Sequence, residues 1–466
     1  MVTQLAPAAS PAGLDDEAVS ALAAGLRGQL LRPGDAGYDA GRTVWNAMID
    51  RRPALIAHCL GVADVIAAVG FARDHGLPVA VRGGGHSVAG TAVADGALVV
   101  DLSPMKGIRV DPAARTVRAE GGVTWAELDA ETQAFGLATT GGTVSATGVA
   151  GLTLGGGLGW LMRCYGLACD NLCSVDVVTA DGRLLTASAD EHPDLFWGLR
   201  GGGGNFGVVT SFEFALHEVG PTLVAGPLFH PLPAAREVLR HYRDLVPTWP
   251  DALTCHAAIL TSPEGAQLAA LLPAYIGPLD TGEAAVRPLR AIGSPAADLV
   301  GPIPYRALQT MFDAAFPAGR RNYWKSGFLR GLDDGAIDVL VDGYSRAPSP
   351  YCALFLEHYG GEACRVPPDA TAFPHRSAPF NLIVLAAWDD PTQDGANLAW
   401  AREVWAAMQP HAVDGVYVNY LSDVRQEGEN RVGAAYGLNY ARLAALKQTY
   451  DPTNLFRFNQ NIAPAG

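Results

Sequence analysis

Val79-Ala80-Val81-Arg82-Gly83-Gly84-Gly85-His86-Ser87 runs from a short apolar strand into three glycines and then a histidine. Residues without a Cβ let successive backbone N–H groups turn into one concavity, which can hold an anionic pyrophosphate, and Arg82 adds positive charge beside it. A nucleotide cofactor is implied, with the imidazole of His86 close to whatever that nucleotide carries. Read alone, the loop serves equally well as a tight turn followed by a core or surface histidine.

Two further glycine clusters change that balance. The stretch from Gly141 to Trp160 is glycine-rich yet otherwise small and apolar, unlike a polar flexible linker, and suggests backbone packed against a flat, largely apolar partner. The third, Arg200-Gly201-Gly202-Gly203-Gly204-Asn205-Phe206-Gly207, contains the glycine spacing of a dinucleotide fingerprint at Gly202, Gly204 and Gly207. A Rossmann loop must leave a strand and open a helix. This one follows a helix-like segment, 193–199, and enters a strand, 208–214, so that assignment fails.

In this order and with these neighbours, the clusters resemble the berberine-bridge-enzyme-like FAD-linked oxidases, a branch of the vanillyl-alcohol-oxidase superfamily. The resemblance runs from about residue 31 to the C-terminus. It includes Tyr165-Gly166-Leu167-Ala168-Cys169-Asp170-Asn171, then Val177-Val178-Thr179-Ala180-Asp181-Gly182, and an ending from Tyr450 to Ile462. It implies an α+β fold: a PCMH-type FAD-binding domain of two α+β subdomains, and a substrate domain whose antiparallel sheet is covered by helices. The FAD-binding part is expected over 1–215, the substrate domain over 216–410, and a return to the FAD-binding domain over 411–466.

The resemblance also implies the cofactor contacts. Arg82, Gly83, Gly84, Gly85, His86, Ser87 and Gly90 come from the first cluster. Gly142, Val144, Thr147, Gly148, Gly151 and Leu152 come from the second, with Gly155, Gly156 and Gly157 after them. Asp170, then Gly207, Val208 and Val209, then Asn459 and Asn461 complete the set. FAD is expected to be covalently attached by its 8α-methyl group to His86. Many relatives carry a second link from a cysteine, at the position occupied here by Val144. Valine forms no thioether, so a single linkage is expected. None of the seven cysteines falls there, and Cys169 with Cys173 lacks the second pair or histidine of a metal site, so reduced, buried thiols are expected.

Composition agrees with this class. The chain has 466 residues, 49% hydrophobic and 17% charged, enough for two or three domains with large cores. A net charge of −14 speaks against nucleic acid or an anionic membrane as partner, and no apolar run is long enough to span a bilayer. Residues 1–13 show no secretory signal, and with an odd number of unpatterned cysteines the expected compartment is the cytoplasm. The Ala/Pro-rich first dozen residues are expected to be disordered.

Periodicity predicts a helix over 62–75, strands over 77–81, 97–101 and 116–120, and a helix opened by Thr124 with Glu127 in a capping box. Farther on, strands are expected over 351–359 and 381–387, followed by a helix over 394–408. Val416-Tyr417-Val418-Asn419-Tyr420 alternates like a strand, with Tyr420 and Val418 on one face.

The second tyrosine of that Tyr-x-Asn-Tyr pattern, Tyr420, matches the family's common catalytic base. Otherwise it is an aromatic packing residue. A phenol needs a nearby cation to ionise at neutral pH, and Lys325 is the candidate. Relatives with a carboxylate base carry it near the position of Ile383, which is apolar here. Glu357, an acid on an otherwise apolar strand, is the compensating candidate, or else an edge or salt-bridged residue. Thr147 occupies the position that governs dioxygen access in the family, and its small volume favours an oxidase.

The expected activity is hydride transfer from a small organic substrate to His86-linked FAD, with dioxygen reoxidising the flavin to give hydrogen peroxide. The acidic, signal-less chain resembles bacterial members from secondary metabolism, acting as monomer or homodimer. A monooxygenase or dehydrogenase on the same fold, a nicotinamide-using reductase, and a non-catalytic flavin- or ligand-binding protein are the alternatives.

Overall fold

The computed structural model describes residues 14–422 and 430–466, and the expected disordered segment at the start lies outside these. Near the N-terminus, the apolar strands Leu55–His58, Leu98–Asp101 and Val79–Arg82 pair in parallel, and Leu30–Leu31 joins antiparallel at the edge. The helix Val62–Asp74 covers this sheet because Val65, Ala68, Val69 and Ala72 fall on one face. A second, fully antiparallel sheet runs in the order Ile108–Asp111, Thr116–Glu120, Val208–Ala215, Leu172–Val178, Leu184–Ser188. Its helix Trp125–Gln133 opens with the expected capping box, the Thr124 N–H donating to Glu127 Oε2 at 2.8 Å.

The third sheet has nine strands between residues 222 and 388. Alternation along its central strands divides the side chains between two buried faces. Leu354, Leu356, Leu382 and Val384 pack against the helices Ala235–Leu245, Asp334–Tyr344 and Asp394–Met408. Phe355, Glu357, Ile383 and Leu385 face the opposite way, toward the glycine clusters. Burying each aliphatic side chain contributes about 1.5–3 kcal/mol, and a slip of one residue would drive Glu357 into the helix-covered core, so the register is strongly fixed.

Residues after 411 return to the second sheet, where Val416, Tyr417, Leu421, Leu443 and Ile462 share a core with Val175 and Phe212. Buried Lys447 pins this segment to the third glycine cluster, donating to Asp451 Oδ2, the Asn205 carbonyl and the Phe456 carbonyl.

One expected strand is absent. Val418–Tyr420 forms a 3₁₀ turn, closed by a 3.0 Å bond from the Tyr420 N–H to the Tyr417 carbonyl. Side chains satisfy this segment in place of a strand ladder: Asn419 Nδ2 donates to the Leu152 carbonyl and to Tyr417 Oη, which also accepts from the Gly157 N–H. The alternation of faces therefore fails, and Tyr417, Val418, Asn419 and Tyr420 all border one cavity.

Candidate active site

The three glycine clusters meet around that cavity, which leaves about 290 Å³ for the centres of water molecules, far above the ~10–15 Å³ that one water requires. Gly83, Gly84, Gly85, His86 and Ser87 form one wall, and Gly142, Val144, Thr147, Gly148, Gly151 and Leu152 the next. Gly207, Val209 and Asn459 close that end. The first two clusters touch backbone to backbone: a Cβ on Gly84 would lie 2.5 Å from the Gly148 nitrogen. The left-handed residue of the first loop is Gly85, at φ +64°.

His86 stands where the glycine wall meets the substrate-domain sheet. Its ring stacks on Trp45 with centroids 4.3 Å apart and planes 19° from parallel. Nε2 is buried and has no hydrogen-bond partner in the protein. Burial lowers its pKa to about 4, so the imidazole is neutral at neutral pH.

Across the cavity, Glu357 Oε1 accepts a 2.8 Å hydrogen bond from Tyr420 Oη, and Oε2 accepts a 2.6 Å bond from Asn381 Nδ2. Glu357 is 1% exposed. Burial raises its pKa to about 7, partly offset by these two donors. Burial and the adjacent carboxylate push the Tyr420 phenol well above its ordinary value. Tyr420 is therefore protonated throughout the neutral range and acts as a donor to Glu357. Lys325 does not reach it. On the strand Arg321–Leu329, Trp324 faces the cavity while Lys325 follows Tyr323 onto the other face, 5.6 Å from its ring.

Several other expected cofactor residues are also committed elsewhere. The Arg82 guanidinium donates to the Gly41 carbonyl and lies 4.0 Å from Asp101, leaving the cavity wall without it. Asp170 holds Arg376 through two bonds of 2.7 and 2.8 Å in a buried ion pair. Gly90 makes room for Ile49, Gly155 for the Asn419 amide, Gly156 for the Phe373 ring and Gly157 for Ala168, so these glycines serve packing. Val208 turns into the core of the first sheet. Asn461 is not among the residues lining the cavity, and its Oδ1 is buried without a partner. Of the cysteines, Cys173 is exposed, contrary to expectation, and all seven are free thiols.

Sequence reasoning missed the aromatic side of the cavity, formed by Phe312, Phe316, Trp324 and Phe355, with Ile383 and Leu385 between them. It also missed Asn381, Trp45, and Asp313, whose carboxylate takes the Ser145 N–H and hydroxyl at 2.8 and 2.6 Å and fastens the second cluster to the substrate domain. Only the aromatic spacing of the strand residues carried a local signal. Among the described residues no lysine or arginine lines the cavity.

The lining fits a flavin nucleotide. Backbone clusters without side chains suit close approach to a pyrophosphate, and the buried polar atoms His86 Nε2, Asn459 Oδ1 and Gln460 Oε1 have no protein partner. Buried polar atoms are rarely left unpaired, so these fit a ligand with matching groups.

Comparison with known proteins agrees. The FAD binding domain family matches residues 53–188, and the berberine and berberine-like family matches residues 416–463. An FAD-linked oxidoreductase of Dictyostelium discoideum is 33% identical, covering 90% of this chain and 91% of its own. The (R)-6-hydroxynicotine oxidase of Paenarthrobacter nicotinovorans is 33% identical, covering 95% of this chain and 98% of its own. The crystal structure of 6-hydroxy-D-nicotine oxidase from Arthrobacter nicotinovorans superposes with a TM-score of 0.87 at 32% identity, covering 94% of this chain and 98% of that one. The BBE-like 1 protein of Physcomitrella patens has the same fold, with a TM-score of 0.88 at 24% identity, covering 96% of this chain and 99% of that one.

Proposed function

This chain belongs to the berberine-bridge-enzyme-like FAD-linked oxidoreductases, matching members at 33% identity over nearly their whole length, and from that premise we propose that it oxidises a compact, largely apolar organic substrate with Glu357 as base. The observation that carries the reading is the Tyr420–Glu357 hydrogen bond, set in the same cavity as His86 and the glycine walls. Bound FAD would supply the two-electron acceptor for the substrate's hydride, with dioxygen as the final oxidant and hydrogen peroxide as its product.

The chain's own residues do the rest. Gly83 to Ser87 and the second cluster hold the nucleotide by backbone N–H groups. His86 would tether the flavin as the single covalent link, its neutral, unpartnered Nε2 being the nucleophile. Phe312, Phe316, Trp324 and Phe355 exclude water and orient an apolar body. Glu357 takes the proton of the substrate's hydroxyl or amine at Oε1 or Oε2, while Tyr420 and Asn381 hold the carboxylate in place. Thr147 keeps the approach for dioxygen open. The free thiols fit a reducing cytoplasm, and among the described residues no helix is long and apolar enough to cross a membrane.

Two measurements test this. Acid precipitation of wild-type protein should leave flavin on the polypeptide, and His86→Ala should still bind FAD through the glycine walls but release all of it in acid. Release from the wild type would refute the tether. Anaerobic flavin reduction by substrate should rise with pH and level off above about 7, because the carboxylate becomes a proton acceptor as Glu357 ionises. A rate falling through that range would remove Glu357 from the role.

A further inference from the structure

Nε2 can bond to carbon only along its lone pair, which lies in the plane of the imidazole, so whatever fixes that plane aims the nucleophile. Trp45 is placed to do this. Its indole lies 4.3 Å from the His86 ring at 19° and meets Trp324 edge-on at 5.7 Å. Trp45 is 6% exposed and anchored on every side: its N–H donates to the Gly85 carbonyl at 3.1 Å, its carbonyl accepts from the Gly319 N–H at 3.0 Å, and Nε1 donates to the Phe316 carbonyl at 3.0 Å. The next residue extends the strut. Buried Asn46 donates through Nδ2 to the Val88 carbonyl at 2.7 Å and the Asn322 carbonyl at 2.9 Å, and its Oδ1 accepts from the Asn322 N–H. The histidine loop is thereby braced against the first residues of the strand Arg321–Leu329.

We propose that Trp45 is a positioning residue for flavin attachment, holding the His86 ring so that Nε2 points at the 8α carbon, an inference that rests on the His86 tether. In the step it assists, an N–C bond forms between Nε2 and the 8α carbon. One methyl C–H and the imidazole N–H give up their hydrogens, and the flavin ends two electrons reduced with both. Dioxygen then takes them as hydrogen peroxide and returns the tethered flavin to its oxidised form.

The test uses the full-length chain produced in riboflavin-starved cells and then mixed with FAD in air. Acid-stable flavin is followed over time by intact mass and gel fluorescence. Trp45→Ala and Trp45→Leu should attach FAD roughly ten-fold more slowly, the scale expected from losing one aromatic stack, whereas Trp45→Phe should recover most of the wild-type rate. FAD affinity, measured with each substitution placed in His86→Ala protein where no bond can form, should stay within a factor of about three of His86→Ala alone, well below the ten-fold rate effect. Attachment by Trp45→Leu as fast as by Trp45→Phe would overturn the role. So would slow attachment fully accounted for by weaker FAD binding. Wild-type protein that never acquires acid-stable flavin would overturn the tether itself, and Trp45's role with it. Because Leu and Phe both preserve bulk, their comparison stands even if Trp45→Ala fails to fold.

Discussion

Glu357→Gln slows anaerobic reduction of the flavin by substrate about 10²–10⁴-fold, the range that general base catalysis usually contributes. Glutamine keeps the volume and can still meet Asn381 and Tyr420, so the flavin spectrum and the melting temperature should change little. The residual rate should also lose the rise with pH that Glu357 gives the wild type. Tyr420→Phe removes one hydrogen bond to a carboxylate, worth about 1.5–3 kcal/mol, and should cost roughly ten- to a hundred-fold. Its diagnostic effect is on the profile: without that donor the Glu357 pKa rises further, so the midpoint moves to higher pH. Stopped-flow traces without oxygen isolate this step from reoxidation. The opposite ranking, with Glu357→Gln near wild type and Tyr420→Phe crippled, would make the phenol the base.

Gly84→Val abolishes stable flavin occupancy. The substituent cannot be absorbed by a flexible neighbour, because it would meet the Gly148 nitrogen at 2.5 Å and the Gly148 Cα at 2.7 Å, both main-chain atoms. The two glycine walls must part. If two backbone donors to an anionic group are lost at about 1.5 kcal/mol each, affinity falls roughly 100-fold. Flavin absorbance relative to protein, read on chains whose circular dichroism is unchanged, checks this. A folded Gly84→Val protein with full flavin content would refute the cradle. Gly85 is sensitive for a different reason, since a side chain there would be strained at φ +64° whatever space surrounds it.

What the sequence made legible was local. The helix Asp394–Met408 and the capping box at Thr124 are written in neighbouring residues, and the glycine clusters mark their own conformations. Glu357 stood out as an acid on an apolar strand. Its partner did not, because Tyr420 lies 63 residues away and arrives on a turn where alternation suggested a strand. Asp170 looked like a ligand for the cofactor until its cation, Arg376, came from 206 residues along the chain. Lys325 was misplaced by a single step of strand register, which sent it through the sheet. Arg82 is adjacent to the glycines in sequence, yet Asp101 on the neighbouring strand draws its charge away. For Glu357, Asp170 and Arg82 the deciding contact came from another element of the fold, and periodicity holds no record of it.

The strut through Trp45 and Asn46 also orders events in time. Asn46 waits for a partner 276 residues downstream, and Tyr420 and Asn459 close the cavity later still. A ribosome that has released only the first half of the chain presents the glycine loops and His86 without Phe316, Asn322 or either tyrosine of the turn. If His86 is the tether proposed above, its bond to the flavin would have to wait for these later segments to dock. On that reading, acid-stable flavin would record that synthesis ran through to that docking, and chains stalled or truncated before residue 322 should accumulate without it.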